Sequence, residues 1–137
     1  MVDGFTVLIT DRNRHVRNFL SRELSAEGYQ VEVAADGRDL LRKVSQADPP
    51  DLLILDLEIP YSGGPAILER LRRANCLIPV IIHAFATEDV THPAVQRTAA
   101  FVEKMGNTDR LKTAVLKVLR EYYPNRFTTN RRDRKEG

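Results

Sequence analysis

Apolar residues between positions 5 and 122 alternate between short continuous runs and helical spacing. The runs predict five strands, at residues 5–10, 30–34, 52–55, 78–82 and 99–102. Those at 5–10 and 52–55 show no polar alternation, which is typical of strands buried on both faces of a parallel sheet. After most runs, apolar residues recur every three or four positions, as on the buried face of a helix. Segment 86–98 is poorly periodic and contains Pro93, which predicts a short or irregular fourth helix.

Five strands that alternate with five helices predict an α/β fold. The strands should form a five-stranded parallel sheet, doubly wound, with right-handed crossovers and helices on both faces. Such sheets bind ligands at the carboxyl ends of their strands, near the point where strand order reverses. Functional residues are therefore expected directly after the apolar runs.

Three charged residues stand at these strand ends. Asp11 follows the first strand, Asp56 the third and Lys104 the fifth. Taken singly, each fits a simpler interpretation, because aspartates at strand ends often form turns and loop lysines are usually solvated. Together they predict one shallow cleft in which two carboxylates face a lysine.

The composition is that of one globular domain with little net charge. The chain has 137 residues, 42% of them hydrophobic, and its 21 Lys and Arg against 19 Asp and Glu give a formal charge of +2. That balance does not predict nucleic acid or an anionic membrane as a partner. A single cysteine and a sequence without a long apolar run or leader pattern favour a cytoplasmic protein.

The apolar spacing ends near residue 123, which predicts a domain over residues 1–123 and a tail over residues 124–137. The tail has five basic and two acidic residues, so we expect it to be solvated and flexible. No glycine-rich phosphate loop, HExxH zinc motif or GxSxG elbow occurs in the sequence, and its three histidines, His15, His83 and His92, are scattered. An enzyme is therefore not predicted.

Four segments, in their order along the chain, resemble the receiver domains of two-component response regulators. They are VLITDRNRHVR, PDLLILDLEIPYSGG, IPVIIHAFA and AAFVEKMG, and the resemblance covers residues 5–122. It implies a flavodoxin-like (βα)5 fold, with Asp56 as the phosphoacceptor, Asp11 as one of an acidic pair that holds Mg²⁺, and Lys104 as the lysine that pairs with the phosphoryl group. The implied partners are a sensor histidine kinase or phosphotransfer protein and an unidentified downstream protein.

The expected metal site departs from the family pattern. Arg12 stands where a second metal-binding Asp or Glu is usual. Its guanidinium can contact Asp56 or Asp11 and take over the electrostatic role of a metal without its Lewis acidity. Glu58 is then expected as a metal ligand beside Asp11 and Asp56, as a partner for Arg12, or as an exposed loop acid. Mg²⁺ is accordingly expected to bind weakly.

The switch positions depart from the family pattern as well. Ala84 stands where a Ser or Thr hydroxyl usually binds the phosphoryl group, and Phe85 replaces a small residue and is expected to crowd the cleft. Phe101 occupies the position of the switch aromatic, without its usual hydroxyl partner. The active site is thus expected to be degenerate in its readout.

Two hypotheses of different classes follow. In the first, the chain is a single-domain receiver that is phosphorylated on Asp56 and signals by protein–protein contact. In the second, it is a phosphorylation-independent pseudo-receiver that acts as an interaction scaffold. The retained Asp56 and Lys104 favour the first hypothesis, whereas Arg12, Ala84 and Phe85 favour the second.

Overall fold

Strands and helices alternate along the whole described chain. The computed structural model describes residues 4–61, 63–85 and 91–127. Its elements are β1 Thr6–Thr10, α1 Arg14–Ala26, β2 Gln30–Ala34, α2 Gly37–Val44, β3 Leu52–Leu55, α3 Gly63–Arg73, β4 Val80–Ala84, α4 Pro93–Gln96, β5 Ala100–Glu103 and α5 Asp109–Tyr122. Within these ranges no helix is both long and apolar enough to cross a membrane.

The five strands form one parallel sheet in the order β2-β1-β3-β4-β5. The predicted doubly wound α/β fold is therefore confirmed. Strand order reverses between β1 and β3, because the chain first adds β2 on one side of β1 and then β3 on the other. The register aligns Thr10 with Leu55, so the residues that follow, Asp11 and Asp56, leave the sheet side by side.

Helices cover both faces of the sheet and enclose two apolar clusters. Each residue of β3 is fully buried, and alternate side chains point to opposite faces. Leu53 and Leu55 pack with the apolar residues of α2, α3 and α4. Leu52 and Ile54 pack with those of α1 and α5. Burial on both faces explains why the apolar run of this strand shows no polar alternation.

The fourth strand lies two residues later than predicted, at Val80–Ala84 instead of 78–82. Pro79 has no backbone N–H to donate, and its carbonyl accepts a hydrogen bond from the Leu53 N–H at 3.0 Å. The hydrogen-bonded ladder between β3 and β4 therefore begins after Pro79. As a result, His83 and Ala84 are inside the strand and buried. The fourth helix spans only Pro93–Gln96, short as predicted, while residues 86–90 of the predicted irregular segment lie outside the described residues.

The packed part of the chain continues four residues past the boundary predicted at residue 123. Residues 124–127 form a further helical turn, and the Phe127 ring stacks on Phe5 with centroids 5.4 Å apart. The Arg126 guanidinium lies 3.7 Å from the centroid of the Phe5 ring and 2.9 Å from Asp51 Oδ1. Arg126 therefore belongs to the folded unit, while residues 128–137 of the predicted tail lie outside the described residues.

Two glycines at the start of α3 shape the loop that follows the central strand. Gly63 has φ of 74° and open space at its Cβ position. A Cβ on Gly64 would instead lie 2.8 Å from the carbonyl oxygen of Leu57 and 2.9 Å from its Cα. Only a glycine at position 64 lets α3 approach this loop so closely.

We expect Gly63→Ala to lower the free energy of unfolding by about 1 kcal/mol, because the positive φ disfavours a Cβ. Gly64→Ala should cost about 2 kcal/mol or more, because the backbone of the loop must shift. Urea denaturation of the two variants measures both losses. Equal losses would contradict the close approach at Gly64.

Candidate functional site

Three strand ends bring two carboxylates and a lysine together. Lys104 Nζ lies 3.0 Å from Asp11 Oδ2 and 3.4 Å from Asp56 Oδ1. The side chains of Asp11, Asp56 and Lys104 are only 2%, 0% and 9% exposed, respectively. The backbone N–H of Lys104 donates a hydrogen bond to the Ala84 carbonyl at 2.8 Å, which connects the loop after β5 to the end of β4. The three residues singled out in the sequence thus share one site.

Backbone N–H groups hold both carboxylates in place. Asp56 Oδ1 accepts from the N–H of Glu58 at 3.1 Å, and Asp56 Oδ2 accepts from the N–H of Arg12 at 3.2 Å. Asp11 Oδ1 accepts from the N–H of Asn13 at 2.8 Å. Asp11 Oδ2 is buried and has no hydrogen bond of good geometry within the described residues, so the charge of Lys104 compensates its negative charge. Both carboxylates are therefore preorganised before any ligand arrives.

Arg12 lies across the mouth of this cleft. Its Nε is 3.4 Å from Asp56 Oδ2, and its Nη1 contacts the carboxylate of Glu58. The Arg12 side chain is 33% exposed and that of Glu58 is 59% exposed. Of the roles that the sequence left open for Glu58, the structure favours a partner of Arg12 at the exposed rim.

The residues present do not fit a bound Mg²⁺ ion. Mg²⁺ requires near-octahedral oxygen ligands, and in proteins one or two carboxylates usually supply part of that set. Here Lys104 lies against one oxygen of Asp11 and one of Asp56, and Arg12 lies against the other oxygen of Asp56. Glu58 faces Arg12 as well. No group of three or more His, Cys, Asp or Glu side chains in the described part of the chain is arranged to hold a metal.

His83 is a residue near the site that sequence reasoning missed. Its side chain is buried, and its Nδ1 has no hydrogen-bond partner among the described residues. Burial and, secondarily, the charge of Lys104 lower the pKa of His83 from 6.5 to about 4. The imidazole is therefore neutral near pH 7. The available signal was its position inside the apolar segment IPVIIHAFA, which indicates a strand and not a surface loop.

The three residues that the sequence predicts as switch positions lie around Lys104 and β5. Ala84 is buried in the apolar cluster with α4 and presents a methyl group in place of a hydroxyl. The centroid of the Phe85 ring is 5.1 Å from Lys104 Nζ, and Phe85 is half-exposed. Phe101, in β5, is partly exposed. Phe85 thus lies over the Lys104 ammonium group at the edge of the cleft.

The depressed pKa of His83 predicts a loss of stability in mild acid. Between pH 6.5 and about 4 the unfolded chain binds a proton at His83 that the folded protein does not bind. The free energy of unfolding should therefore fall as the pH falls through this window, by up to about 3 kcal/mol from this residue. The free energy of unfolding should be measured near pH 7 and near pH 4. His83→Leu should remove most of the contribution of His83 to the difference between the two values.

His15→Leu is the matched control, because His15 is exposed on α1. It makes the same exchange of histidine for leucine without removing a buried imidazole. The same pH dependence in His83→Leu as in the control would show that His83 is not held neutral by the fold.

Comparisons with known proteins agree with the fold. The family model for the response regulator receiver domain matches residues 7–116. A crystal structure of the response regulator TrrA from Thermotoga maritima in complex with Mg²⁺-BeF has a TM-score of 0.78 and 28% identity, covering 85% of this chain and 100% of that one. The signal receiver domain of a putative LuxO repressor protein from Vibrio parahaemolyticus has a TM-score of 0.79 and 26% identity, covering 90% and 95% of the two chains.

Among curated proteins, the response regulator MprA from Mycolicibacterium vanbaalenii is 37% identical over 76 residues. The match covers 56% of this chain and 32% of MprA, so the chain spans about a third of the length of this relative. MprA from Mycobacterium leprae is 38% identical over the same length. With the family model matched from β1 into α5 and the acidic residues and lysine placed at the strand ends, the chain belongs to the response regulator receiver domains, the signalling domains of two-component systems.

Proposed function

We propose that this receiver domain accepts a phosphoryl group on Asp56 and passes the signal on by protein–protein contact. The observation that carries the proposal is the setting of the Asp56 carboxylate. Asp56 directly follows the fully buried central strand. Its carboxylate accepts hydrogen bonds from two backbone N–H groups and lies 3.4 Å from Lys104 Nζ. The donor in this proposal is the phosphohistidine of a sensor kinase or a phosphotransfer protein in the cytoplasm. In support, TrrA of Thermotoga maritima has been crystallised in complex with the histidine kinase ThkA.

The chemistry required is the transfer of a phosphoryl group between two side chains. A carboxylate oxygen of Asp56 forms a bond to phosphorus while the bond from phosphorus to the histidine nitrogen breaks, and the electron pair of that bond leaves with the imidazole. The attacking carboxylate and the phosphoryl oxygens are both negative, so the reaction needs positive charge beside them. Lys104 supplies that charge from one side of Asp56, and it is held there by its own pairing with Asp11.

Divalent metal, where it binds a receiver domain, adds charge neutralisation and orients the phosphoryl oxygens. In this chain Asp11 and Asp56 are the carboxylates available to such an ion, with Glu58 at the rim. Arg12 lies among them and opposes it. The proposed phosphorylation of Asp56 therefore relies on side chains of this chain for charge neutralisation, and the proposal does not require bound Mg²⁺.

Phosphorylation should be specific to Asp56. Incubation with a small phosphodonor such as acetyl phosphate, with Mg²⁺ and separately with a chelator, should add one phosphoryl group in an intact-mass spectrum. Asp56→Asn should abolish the addition, because no other carboxylate ends the central strand opposite Lys104. Asp48→Asn, at an exposed aspartate before the third strand, is the matched control and should be labelled normally.

Labelling that persists in Asp56→Asn would contradict the assignment of the phosphoacceptor. No labelling of the unsubstituted chain by small phosphodonors or by a phosphorylated kinase would instead leave the phosphorylation-independent scaffold as the function.

The response of the surface formed by α4 and β5 to phosphorylation should be small, because Ala84 offers no hydroxyl to a phosphoryl group. A ligand shifts a conformational equilibrium only by its different affinity for the two states. Saturating beryllofluoride should therefore change the amide chemical shifts of residues 91–103 little in the unsubstituted protein. The changes should be larger in Ala84→Thr, which restores a hydroxyl at the end of β4. Large changes in the unsubstituted protein would show that another group has taken over this role.

A further inference from the structure

We infer that Arg12 is a built-in cation that replaces a divalent metal ion, so that the site binds its phosphoryl group without metal and binds Mg²⁺ only once Arg12 is removed. The inference rests on the proposed role of Asp56 as the phosphoacceptor. It concerns the means by which negative charge at Asp56 is neutralised. The ligand is a tetrahedral phosphoryl anion attached to Asp56, and the two groups that neutralise it are side chains of this chain.

Arg12 lies against one oxygen of the Asp56 carboxylate. Its backbone N–H and its Nε both approach Asp56 Oδ2, at 3.2 and 3.4 Å respectively. Lys104 Nζ approaches the other oxygen, Oδ1, at 3.4 Å. Each oxygen of the buried carboxylate therefore already has one cationic side chain beside it. A group bound to either oxygen arrives between two positive charges.

On its far side, the Arg12 guanidinium is held by Glu58. Nη1 of Arg12 contacts the Glu58 carboxylate, which belongs to the loop directly after the central strand. The guanidinium thus bridges a fully buried carboxylate and an exposed one. A metal ion that used Asp56 and Glu58 as ligands would have to displace it. Displacement leaves the guanidinium close to the ion, where the two charges repel each other.

The five charged side chains of the cleft carry little net charge. Asp11, Asp56 and Glu58 against Arg12 and Lys104 leave one net formal negative charge. An acidic residue at position 12 would change this by two units, to a net charge of minus three. A cluster of that charge attracts a divalent cation strongly, whereas the cluster with Arg12 is nearly neutral. Arginine is also well suited to phosphoryl oxygens, because its planar donors can make two parallel hydrogen bonds.

The test measures binding of Mg²⁺ and of beryllofluoride, a phosphoryl mimic, by calorimetry and by amide chemical shifts. The unsubstituted protein should bind beryllofluoride with the same affinity, within about two-fold, in Mg²⁺ and in a chelator. It should show no saturable binding of Mg²⁺ alone. Arg12→Asp should bind Mg²⁺ at least ten-fold more tightly and should require Mg²⁺ to bind beryllofluoride.

Two further variants separate the charge of Arg12 from other effects. Arg12→Gln keeps a polar side chain without the cation, and it should lose at least ten-fold in affinity for beryllofluoride when Mg²⁺ is absent. Arg14→Asp makes the same charge reversal two positions along the chain, at the exposed first residue of α1. It should bind both probes as the unsubstituted protein does.

Binding of beryllofluoride by the unsubstituted protein only when Mg²⁺ is present would overturn the inference and leave Asp56 as the phosphoacceptor. Equal Mg²⁺ affinity of Arg12→Asp and Arg14→Asp would overturn it too, since position 12 would then have no special effect. Failure of Asp56 to take either the mimic or a phosphoryl group, with and without Mg²⁺, would overturn the proposed function itself, and the inference with it.

Discussion

The pairing of Lys104 with two buried carboxylates is the interaction on which this site depends. Asp11 and Asp56 leave adjacent strands side by side and are almost inaccessible to water. Two negative charges at such a place require a counter-charge, and removal of one partner of a buried ion pair is strongly destabilising. Lys104 supplies the charge from β5, on the far side of β4. The sheet order and the ionic cluster therefore support each other.

The same cluster is joined to the start of α1. Asp11 Oδ1 accepts from the N–H of Asn13, and the Asn13 side chain caps the helix by accepting from the N–H groups of His15 and Val16. Arg17 Nη1 donates to the Asp11 carbonyl at 2.6 Å. Asp11 is thus a part of the helix entry as much as a part of the cleft. A structural demand for Asp11 exists whether or not a metal ion is bound there.

The fold could be predicted from the sequence because burial on both faces makes the inner strands β1, β3 and β4 nearly continuous apolar runs. The positions of Asp11, Asp56 and Lys104 followed, since polar residues after such runs must lie at the carboxyl edge. The burial of His83 was not predicted, because the expected end of the fourth strand at residue 82 placed His83 in a loop, whereas the observed strand Val80–Ala84 contains it. The docking of Arg126 on Phe5 and Asp51 could not be predicted, because it joins positions that periodicity does not relate.

Arg12 shows most clearly where sequence reasoning stops. The sequence established that a cation had replaced an acid, but it left Glu58 with three possible roles because 46 positions separate the two residues. The structure places the Arg12 guanidinium between Asp56 and Glu58. The Arg12 side chain is 33% exposed, whereas that of Lys104 is nearly buried. The two cations therefore differ in kind. Lys104 is fixed by the packing of the strands and holds the cluster together, while Arg12 lies at the rim, where, under the proposed phosphorylation of Asp56, its long side chain would follow the phosphoryl group.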